Sequence, residues 1–231
     1  MTSIVSAQDL RRVYGEGGAA VTALDGVSVE FPAAAFTAIM GPSGSGKSTL
    51  MHLLAGLDRP TAGTVTLDGV ELTTLNDDAL TQLRRDRVGF IFQAFNLLPV
   101  LNARENIVLP ISIAGRDADD AWVDQLIELV GLSDRIKHRP SELSGGQQQR
   151  VAVVRALASR PAVVFADEPT GNLDSHSSTE ILQLLRRSVD EFGQTIIMVT
   201  HDEEAASYAD RLLVLRDGQI VEDRVTASAA A

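Results

Sequence analysis

The chain has 231 residues, 45% of them hydrophobic, with a formal net charge of −11 and no cysteine, which suits one α/β core carrying an inserted subdomain. The acidic balance disfavours nucleic acid as a partner, and the lack of cysteine excludes disulfides, thiolate nucleophiles and cysteine-rich metal sites. Because no apolar stretch approaches the roughly 20 residues that cross a bilayer, and the amino terminus lacks a secretory apolar region, we expect a chain that is neither exported nor integral to a membrane.

The first third of the chain has the pattern of strands around one helix. Residues 27–31 alternate apolar with polar or small side chains, as a half-buried strand does. The short apolar run Phe36–Met40 predicts a second strand, and a helix is predicted over Ser48–Leu57. Residues 64–72 predict a hairpin with a type I′ turn at Asp68-Gly69.

Buried strands and a helix follow in the middle and later parts of the chain. Apolar runs at Val88–Phe92, Ala162–Ala166 and Thr195–Thr200 are typical of parallel strands covered on both faces. Residues 119–130 carry apolar side chains at helical spacing, and Gly131 is expected to end that helix.

A last helix and a tail are also predicted. Ser177 and Glu180 predict a capping box at the start of a helix that runs to about Asp190. Residues 226–231 are small and follow no pattern, so we expect this tail to be disordered.

A glycine-rich motif joins the strand at Phe36–Met40 to the helix that follows. It reads Gly41-Pro42-Ser43-Gly44-Ser45-Gly46-Lys47-Ser48, with Thr49 next, and has the spacing and strand–helix context of a phosphate-binding loop. Glycines let successive backbone N–H groups turn toward phosphate oxygens, and the helix start adds its positive dipole end. Lys47 is predicted to hold the β- and γ-phosphates of ATP and Ser48 to be a Mg²⁺ ligand. The alternative is a flexible Gly/Ser turn.

A second candidate anion site lies at Ser144-Gly145-Gly146-Gln147, which follows Leu143 and opens an apolar-periodic helix through Leu157. Ser144 is a favourable N-cap, and the glycines leave several N–H groups unpaired at a helix start. The alternative is a capped helix with no ligand.

The motifs together resemble the nucleotide-binding subunit of ATP-binding-cassette (ABC) transporters, over nearly the whole chain. The phosphate loop, the Leu143–Gln147 signature, the run VVFADEP at 163–169 and His201 stand in the order of that family. The resemblance implies a single ABC ATPase domain with a P-loop NTPase (RecA-like) parallel-sheet core and an amino-terminal antiparallel β region. The core would comprise 1–93 and 160–225, and 94–159 would be an inserted α-helical subdomain.

The resemblance also implies catalytic and metal-binding roles. Asp167 would hold Mg²⁺, mainly through water, and Glu168 would orient and deprotonate the attacking water. Gln93 would contact Mg²⁺ or that water, and His201 would reach the γ-phosphate. Taken singly, these residues could equally be solvated polar groups or a surface turn.

Further roles are implied for the base and the interface. Tyr14 resembles the aromatic residue that stacks on adenine, although a tyrosine of the core is the alternative. Asn172–Asp174 resembles a loop that crosses a dimer interface, which makes Asp174 a candidate nucleotide contact. The basic residues Arg84, Arg85 and Arg87 are interpreted as a solvated helix face and give no case for nucleic acid.

The resemblance implies that one chain is half of the functional ATPase. The signature of one copy would close over ATP held by a second copy, forming a homodimer around two ATP. A transmembrane permease, encoded separately, would receive the resulting motion at the cytoplasmic face of the cell membrane. Residues 15–22, 95–110 and 166–175 resemble the macrolide-export, lipoprotein-release and cell-division branch, with a departure at 102–104.

Four functions are compatible with these motifs to different degrees. Export-type transport and regulatory gating of a membrane partner without transport are not separable from this sequence. A DNA-repair or translation cassette would need a long coiled coil, or two cassettes with basic segments. A small-molecule kinase would share the phosphate loop but not the signature.

Overall fold

Ten strands divide between two sheets in the computed structural model, which describes residues 3–226. In chain order they are β1 (Ser3–Tyr14), β2 (Val21–Pro32), β3 (Phe36–Met40), β4 (Ala62–Leu67), β5 (Val70–Glu71), β6 (Val88–Phe92), β7 (Val163–Asp167), β8 (Ile196–Val199), β9 (Arg211–Arg216) and β10 (Gln219–Val225). The spatial order β2-β1-β4-β5 forms an antiparallel sheet, and β10-β9-β3-β8-β7-β6 forms a six-stranded sheet.

The same residues form seven α-helices. In chain order they are α1 (Lys47–Leu54), α2 (Asp77–Arg87), α3 (Ala103–Ile113), α4 (Asp120–Leu129), α5 (Gly145–Ala158), α6 (Ser175–Phe192) and α7 (Glu203–Ser207). Within residues 3–226, no helix combines the length and the apolar character needed to cross a bilayer.

The parallel part of the six-stranded sheet is buried on both faces. In β7, Val163 and Phe165 belong to the hydrophobic cluster that contains α1 and the antiparallel sheet. Val164 and Ala166 belong to the opposite cluster, which contains α3 to α6. This two-sided burial is the reason β7 is continuously apolar rather than alternating. The predicted α/β architecture, with a parallel core and an amino-terminal antiparallel region, is confirmed.

Local predictions in the amino-terminal half hold closely. β3 and β6 have the predicted bounds, and α1 begins one residue before the prediction and ends at Leu54. Asp68 and Gly69 have φ values of 49° and 76°, the left-handed pair that a type I′ turn requires between β4 and β5.

The predicted capping box at Ser177 and Glu180 is wrong. Helix α6 begins at Ser175, and its N-cap is Asp174, whose carboxylate accepts from the N–H of Ser177 at 2.9 Å. Asp174 also accepts from the Ser177 hydroxyl at 2.8 Å. Glu180 instead pairs with the guanidinium of Arg150 on α5. Because Asp174 accepts from the free N–H of the first turn, the helix starts before Ser177.

Two further expectations need correction. The apolar residues around Pro99 predict an exposed surface formed by Phe95, Leu97, Leu98, Val100 and Leu101. Only Leu98 (45%) and Val100 (72%) are among the exposed large hydrophobics there. At the other end of the chain, the N–H of Thr226 donates to the carbonyl of Asp210 at 2.9 Å. The expected disorder therefore does not reach Thr226, and residues 227–231 lie outside the described residues.

Candidate functional site

The candidate residues converge because the parallel strands end at one edge of the sheet. Gly41 follows β3, Gln93 follows β6, Asp167 and Glu168 close β7, and His201 comes two residues after β8. The carboxyl ends of parallel strands are the usual location of ligand sites in open α/β sheets.

The loop between β3 and α1 has a backbone that only glycine permits at two positions. Gly41 has φ +148°, and a Cβ there would lie 2.1 Å from the carbonyl oxygen of Leu215. Gly46 has φ +101°, and a Cβ there would lie 2.5 Å from the carbonyl oxygen of Ala23. The loop is therefore packed on its outer side by backbone.

Lys47 bridges this loop from the first turn of α1. Its side-chain Nζ donates to the carbonyl oxygens of Gly41 and Pro42, each at 2.9 Å, and the residue is only 8% exposed. Ser45 is also buried, and its hydroxyl has no hydrogen-bond partner among residues 3–226. A buried ammonium and a helix start make the loop locally positive within an acidic chain.

One cavity of about 430 Å³ brings the phosphate loop together with the ends of β7 and β8. Its lining consists of Ala23, Ser43, Gly44, Gly46, Lys47, Ser48, Thr49, Glu168 and His201. Three of the sequence-predicted groups, the phosphate loop with Ser48, Glu168 and His201, therefore share one space.

Glu168 and His201 face each other in this cavity. Nδ1 of His201 lies 3.1 Å from Oε1 of Glu168. Glu168 has φ +46°, a left-handed conformation that costs on the order of 1 kcal/mol outside glycine. Its N–H donates to the carbonyl of Val199 at 2.9 Å. The hydrogen bond to Val199 of β8 stabilises this strained backbone conformation, and the Glu168 carboxylate at the end of β7 lines the cavity.

Asp167, the last residue of β7, is a partly buried carboxylate with a shifted pKa. Burial raises the pKa of Asp167 above its ordinary value. His52 and Lys47 oppose this rise, whereas the neighbouring Glu168 adds to it. A partly desolvated carboxylate of this kind gains from a nearby cation. Among residues 3–226, no three His, Asp or Glu side chains gather into a ready metal cage.

Gln93 is turned toward a neighbouring loop rather than into the cavity. Its side-chain Nε2 donates to Oδ1 of Asn172 at 3.1 Å, and Nδ2 of Asn172 donates to the Gln93 carbonyl at 3.0 Å. Asn172 belongs to the turn between β7 and α6. This reciprocal pair joins residues 79 positions apart, and no local sequence signal indicates it.

The signature residues start α5 away from the cavity of their own chain. Ser144 is the N-cap, and a reciprocal capping box links it to Gln147 at 2.9 and 3.3 Å. Gly146 is buried, and a Cβ there would lie 2.8 Å from the hydroxyl of Ser177. None of residues 144–147 lines the 430 Å³ cavity. Within one chain, the signature and the phosphate loop do not meet.

Tyr14 closes β1 in a polar cluster that the sequence did not indicate. Its hydroxyl donates to Oδ2 of Asp58 at 2.9 Å, and the residue is 40% exposed. The Arg12 guanidinium carbon lies 4.4 Å from the ring centroid and its NH2 lies 2.9 Å from Oδ1 of Asp58. Arg12 thus covers one ring face, and Asp58, just beyond α1, fixes the hydroxyl.

Comparisons with known proteins agree on one family. The family model described as ABC transporter matches residues 24–171. An uncharacterised ABC transporter ATP-binding protein of Thermotoga maritima is 47% identical over 222 residues, which are 95% of this chain and 94% of the relative. The macrolide export ATP-binding/permease protein MacB of Marinobacter nauticus is also 47% identical, over 95% of this chain. This chain spans 34% of that MacB relative.

A solved structure extends the agreement to three dimensions. The dimeric structure of a post-hydrolysis state of the ATP-binding cassette MJ0796, bound to ADP and Pi, aligns with a TM-score of 0.86. It is 39% identical and covers 96% of this chain and 98% of its own. The family match covers more than half of the chain and includes the phosphate loop and Glu168. The chain therefore belongs to the ABC transporter family, within which it is an ATP-hydrolysing cassette.

Proposed function

We propose that the 430 Å³ cavity binds Mg-ATP and is the hydrolytic site of the cassette. The observation that carries this proposal is the shared lining of the phosphate loop, Glu168 and His201. The loop would cradle the phosphates through its N–H groups, and Lys47 would leave its carbonyl partners for the β- and γ-phosphates. Glu168 would take the proton of the attacking water, and His201 would reach the γ-phosphate.

The residues present fit a magnesium ion held together with ATP. Ser48 lines the cavity, and Asp167 is a partly buried carboxylate that a cation would stabilise. Mg²⁺ usually takes one or two protein oxygens and completes its shell with water and phosphate, so no larger cage is needed. When bound, it would neutralise charge on the phosphates. Gln93 would have to leave Asn172 to join it.

A second copy of the chain would complete each site. The Ser144–Gln147 segment forms the capped start of α5, a helix of 14 residues, and lies outside the cavity of its own chain. Clamping a γ-phosphate needs donors from both sides. Two identical chains would place each signature on the other's ATP across a two-fold interface. Asp174, the N-cap of α6, would lie near this interface. The MJ0796 cassette, solved as a dimer, supports this arrangement.

Tyr14 would stack its open face on adenine, because Arg12 already covers the other face. We expect Tyr14→Ala to weaken ATP affinity by about 1–3 kcal/mol, the range of base–aromatic stacking. Tyr14→Phe should retain most of the affinity, since it keeps the ring and loses only the bond to Asp58. Titration of each variant with a fluorescent ATP analogue and Mg²⁺ measures this.

The same titration tests the site as a whole. Wild-type binding that does not depend on Mg²⁺ would contradict the proposed assignment. A phenylalanine variant as weak as the alanine variant would show that Tyr14 acts as a structural or hydrogen-bonding residue, through its bond to Asp58, and not by stacking.

The membrane partner would dock along residues 94–110, at the cytoplasmic face of the cell membrane. A groove of about 250 Å³ opens beside this segment, between β6 and α5, and includes Phe90, Pro110 and Arg155. Exposed Val100 and Leu98 stand in the same segment. The segment directly follows Gln93, so a partner bound here would respond to changes at the nucleotide site.

This partner would be a separately encoded permease of the export or mechanotransmission type. The T. maritima relative is covered over 94% of its length, so a cassette without a fused permease has precedent. The MacB relatives, of which this chain spans about a third, supply the precedent for export. That the two parts are separate chains here is part of the proposal.

Cross-linking tests the docking surface. Because the chain has no cysteine, an introduced cysteine is its only thiol. Val100→Cys should capture a membrane-spanning protein, identified by mass spectrometry, when a thiol-reactive cross-linker is applied to native membranes. Val225→Cys is the matched control. Val100 and Val225 are 72% and 73% exposed, but β10 is the opposite edge of the sheet from β6. Capture from position 225 alone would refute the placement.

A further inference from the structure

Gln149 is a buried glutamine whose place is not explained by packing. It is 0% exposed and lies on the face of α5 that meets the sheet. The two preceding glutamines serve the helix start: Gln147 closes the capping box, and Gln148 donates to the carbonyl of Leu143 at 3.1 Å. Gln149 alone of the three reaches the strand ends.

The amide of Gln149 joins the two strands that carry Gln93 and Glu168. Its Nε2 lies 2.5 Å from the carbonyl oxygen of Pro169 and 3.4 Å from that of Phe92. Phe92 directly precedes Gln93, and Pro169 directly follows Glu168. Phe92 is the register partner of Asp167, so both carbonyls lie at the carboxyl end of neighbouring strands.

The orientation of this amide follows from its partners. Both are carbonyl oxygens, which only accept, so the amide nitrogen must face them. Oε1 of Gln149 is then buried with no hydrogen-bond partner among residues 3–226. An unsatisfied buried acceptor costs about 1–3 kcal/mol, whereas methionine would fill the same space without that cost. The donor bonds, and not the filling of space, distinguish glutamine here.

Helix α5 also holds the other end of the Gln93 loop. Arg155 donates to the carbonyls of Phe95 at 2.8 Å and Asn96 at 2.6 Å. Phe95 and Asn96 have φ values of 60° and 51°, so two successive non-glycine residues are left-handed. Such a backbone persists only when its surroundings hold it. One helix thus fixes the loop before and after Gln93.

We propose that Gln149 is a positioning residue for ATP hydrolysis, which holds the loops of Gln93 and Glu168 at a fixed distance from α5. The proposal deepens the proposed function and rests on it. Because α5 begins at the signature, a shift of that helix would reach both strand ends through this amide. Gln149 itself does not line the 430 Å³ cavity.

The chain contains a matched control for this residue. Gln194 is also a buried glutamine, 9% exposed, and its Nε2 donates to the carbonyls of Pro161 and Thr195, each at 3.2 Å. Pro161 and Thr195 precede β7 and β8, so Gln194 ties the amino ends of strands, away from the cavity. Gln194 lies in the loop before β8 and Gln149 on α5, but both are buried amides that donate to two carbonyls, and they do so at opposite edges of the sheet.

The experiment compares Gln149→Met with Gln194→Met in the full chain. Gln194→Met should lower the melting temperature, since it loses two buried hydrogen bonds. In Gln149→Met the loss of two hydrogen bonds is offset by removal of the unpartnered Oε1, so its melting temperature should change less. Only Gln149→Met should lower kcat, by about 10-fold or more, because small misplacements of catalytic groups have effects of this size. Its dissociation constant for a fluorescent ATP analogue should stay within about 3-fold, since the phosphate loop is untouched.

Several results would overturn the proposal. These are an unchanged kcat in Gln149→Met, an equal fall in kcat for Gln194→Met, or a loss of ATP binding that accounts for the fall. If methionine prevents folding at 149, Gln149→Asn and Gln194→Asn replace the pair, because asparagine ends one methylene short of the carbonyls. A wild-type chain that fails to bind Mg-ATP would contradict the proposed site itself, whereas an active wild type and an active Gln149 variant would contradict this proposal alone.

Discussion

Replacing Glu168 with glutamine is expected to lower ATP hydrolysis by about 10²-fold or more, the usual scale for loss of a general base. The substitution keeps the side-chain length and the reach to Nδ1 of His201, which lies 3.1 Å from Oε1. Lys47, Ser48 and Asp167 are unchanged, so Mg-ATP should still bind. The proposed contact of Ser144 and Gly146 with the ATP of a second copy should also survive.

The variant should therefore accumulate as an ATP-bound dimer. Each protomer carries about 11 net negative charges, so moderate salt should favour pairing by screening the repulsion. Light scattering after gel filtration with Mg-ATP measures the mass of the variant beside wild type. Glu203→Gln is the control, since Glu203 is exposed in the first turn of α7 and its replacement makes the same charge change.

Two outcomes would revise this account in different ways. Normal hydrolysis by the Glu168→Gln variant would remove Glu168 from the catalytic role. An inactive variant that is saturated with ATP and still monomeric at high concentration would leave Glu168 as the base. It would also mean that the membrane partner is needed to hold the two copies together.

Replacing Lys47 with alanine is expected to abolish measurable hydrolysis, a fall of about 10²-fold or more when a charged donor is removed from a phosphoryl-transfer site. The ammonium is buried and spans the loop from Gly41 to Pro42 at 2.9 Å. Alanine would remove both the bridge and the charge that phosphate oxygens would meet. Phosphate release at saturating Mg-ATP measures the loss.

The only other lysine in the sequence, Lys137, provides the control. It is exposed, so Lys137→Ala makes the same change of composition and charge outside the cavity and should leave turnover unchanged. Circular dichroism of both variants separates loss of the site from loss of the fold. Wild-type-like turnover by Lys47→Ala would show that the phosphates are held elsewhere.

The site elements that the sequence predicted well are short and contiguous. The phosphate loop needs glycine at Gly41 and Gly46 because backbone carbonyls occupy the Cβ space, and that requirement is visible in eight residues. The apolar run of β7 ending at Asp167 is visible because both faces of a parallel strand are buried. Ser144 was predictable as a helix cap because its partner Gln147 lies only three residues away.

Predictions failed where a local pattern had a competitor nearby or a partner far away. Ser177 and Glu180 have capping-box spacing, but Asp174 reached the Ser177 N–H first and Glu180 paired with Arg150. Phe95 was predicted to be exposed because it lies in a loop, but it is half-buried, with its ring beside Gly145.

The sequence by itself therefore determined the family and the fold class, and it predicted which short motifs carry the candidate site residues. Only the tertiary structure decided which motifs share a cavity, and that Tyr14 bonds Asp58 across 44 positions and Gln93 bonds Asn172 across 79. It also placed Gln149 against the ends of β6 and β7. The physical reason is that periodicity shows which face of an element is buried, whereas the strand order β9-β3-β8-β7-β6 sets which remote strand end that face meets.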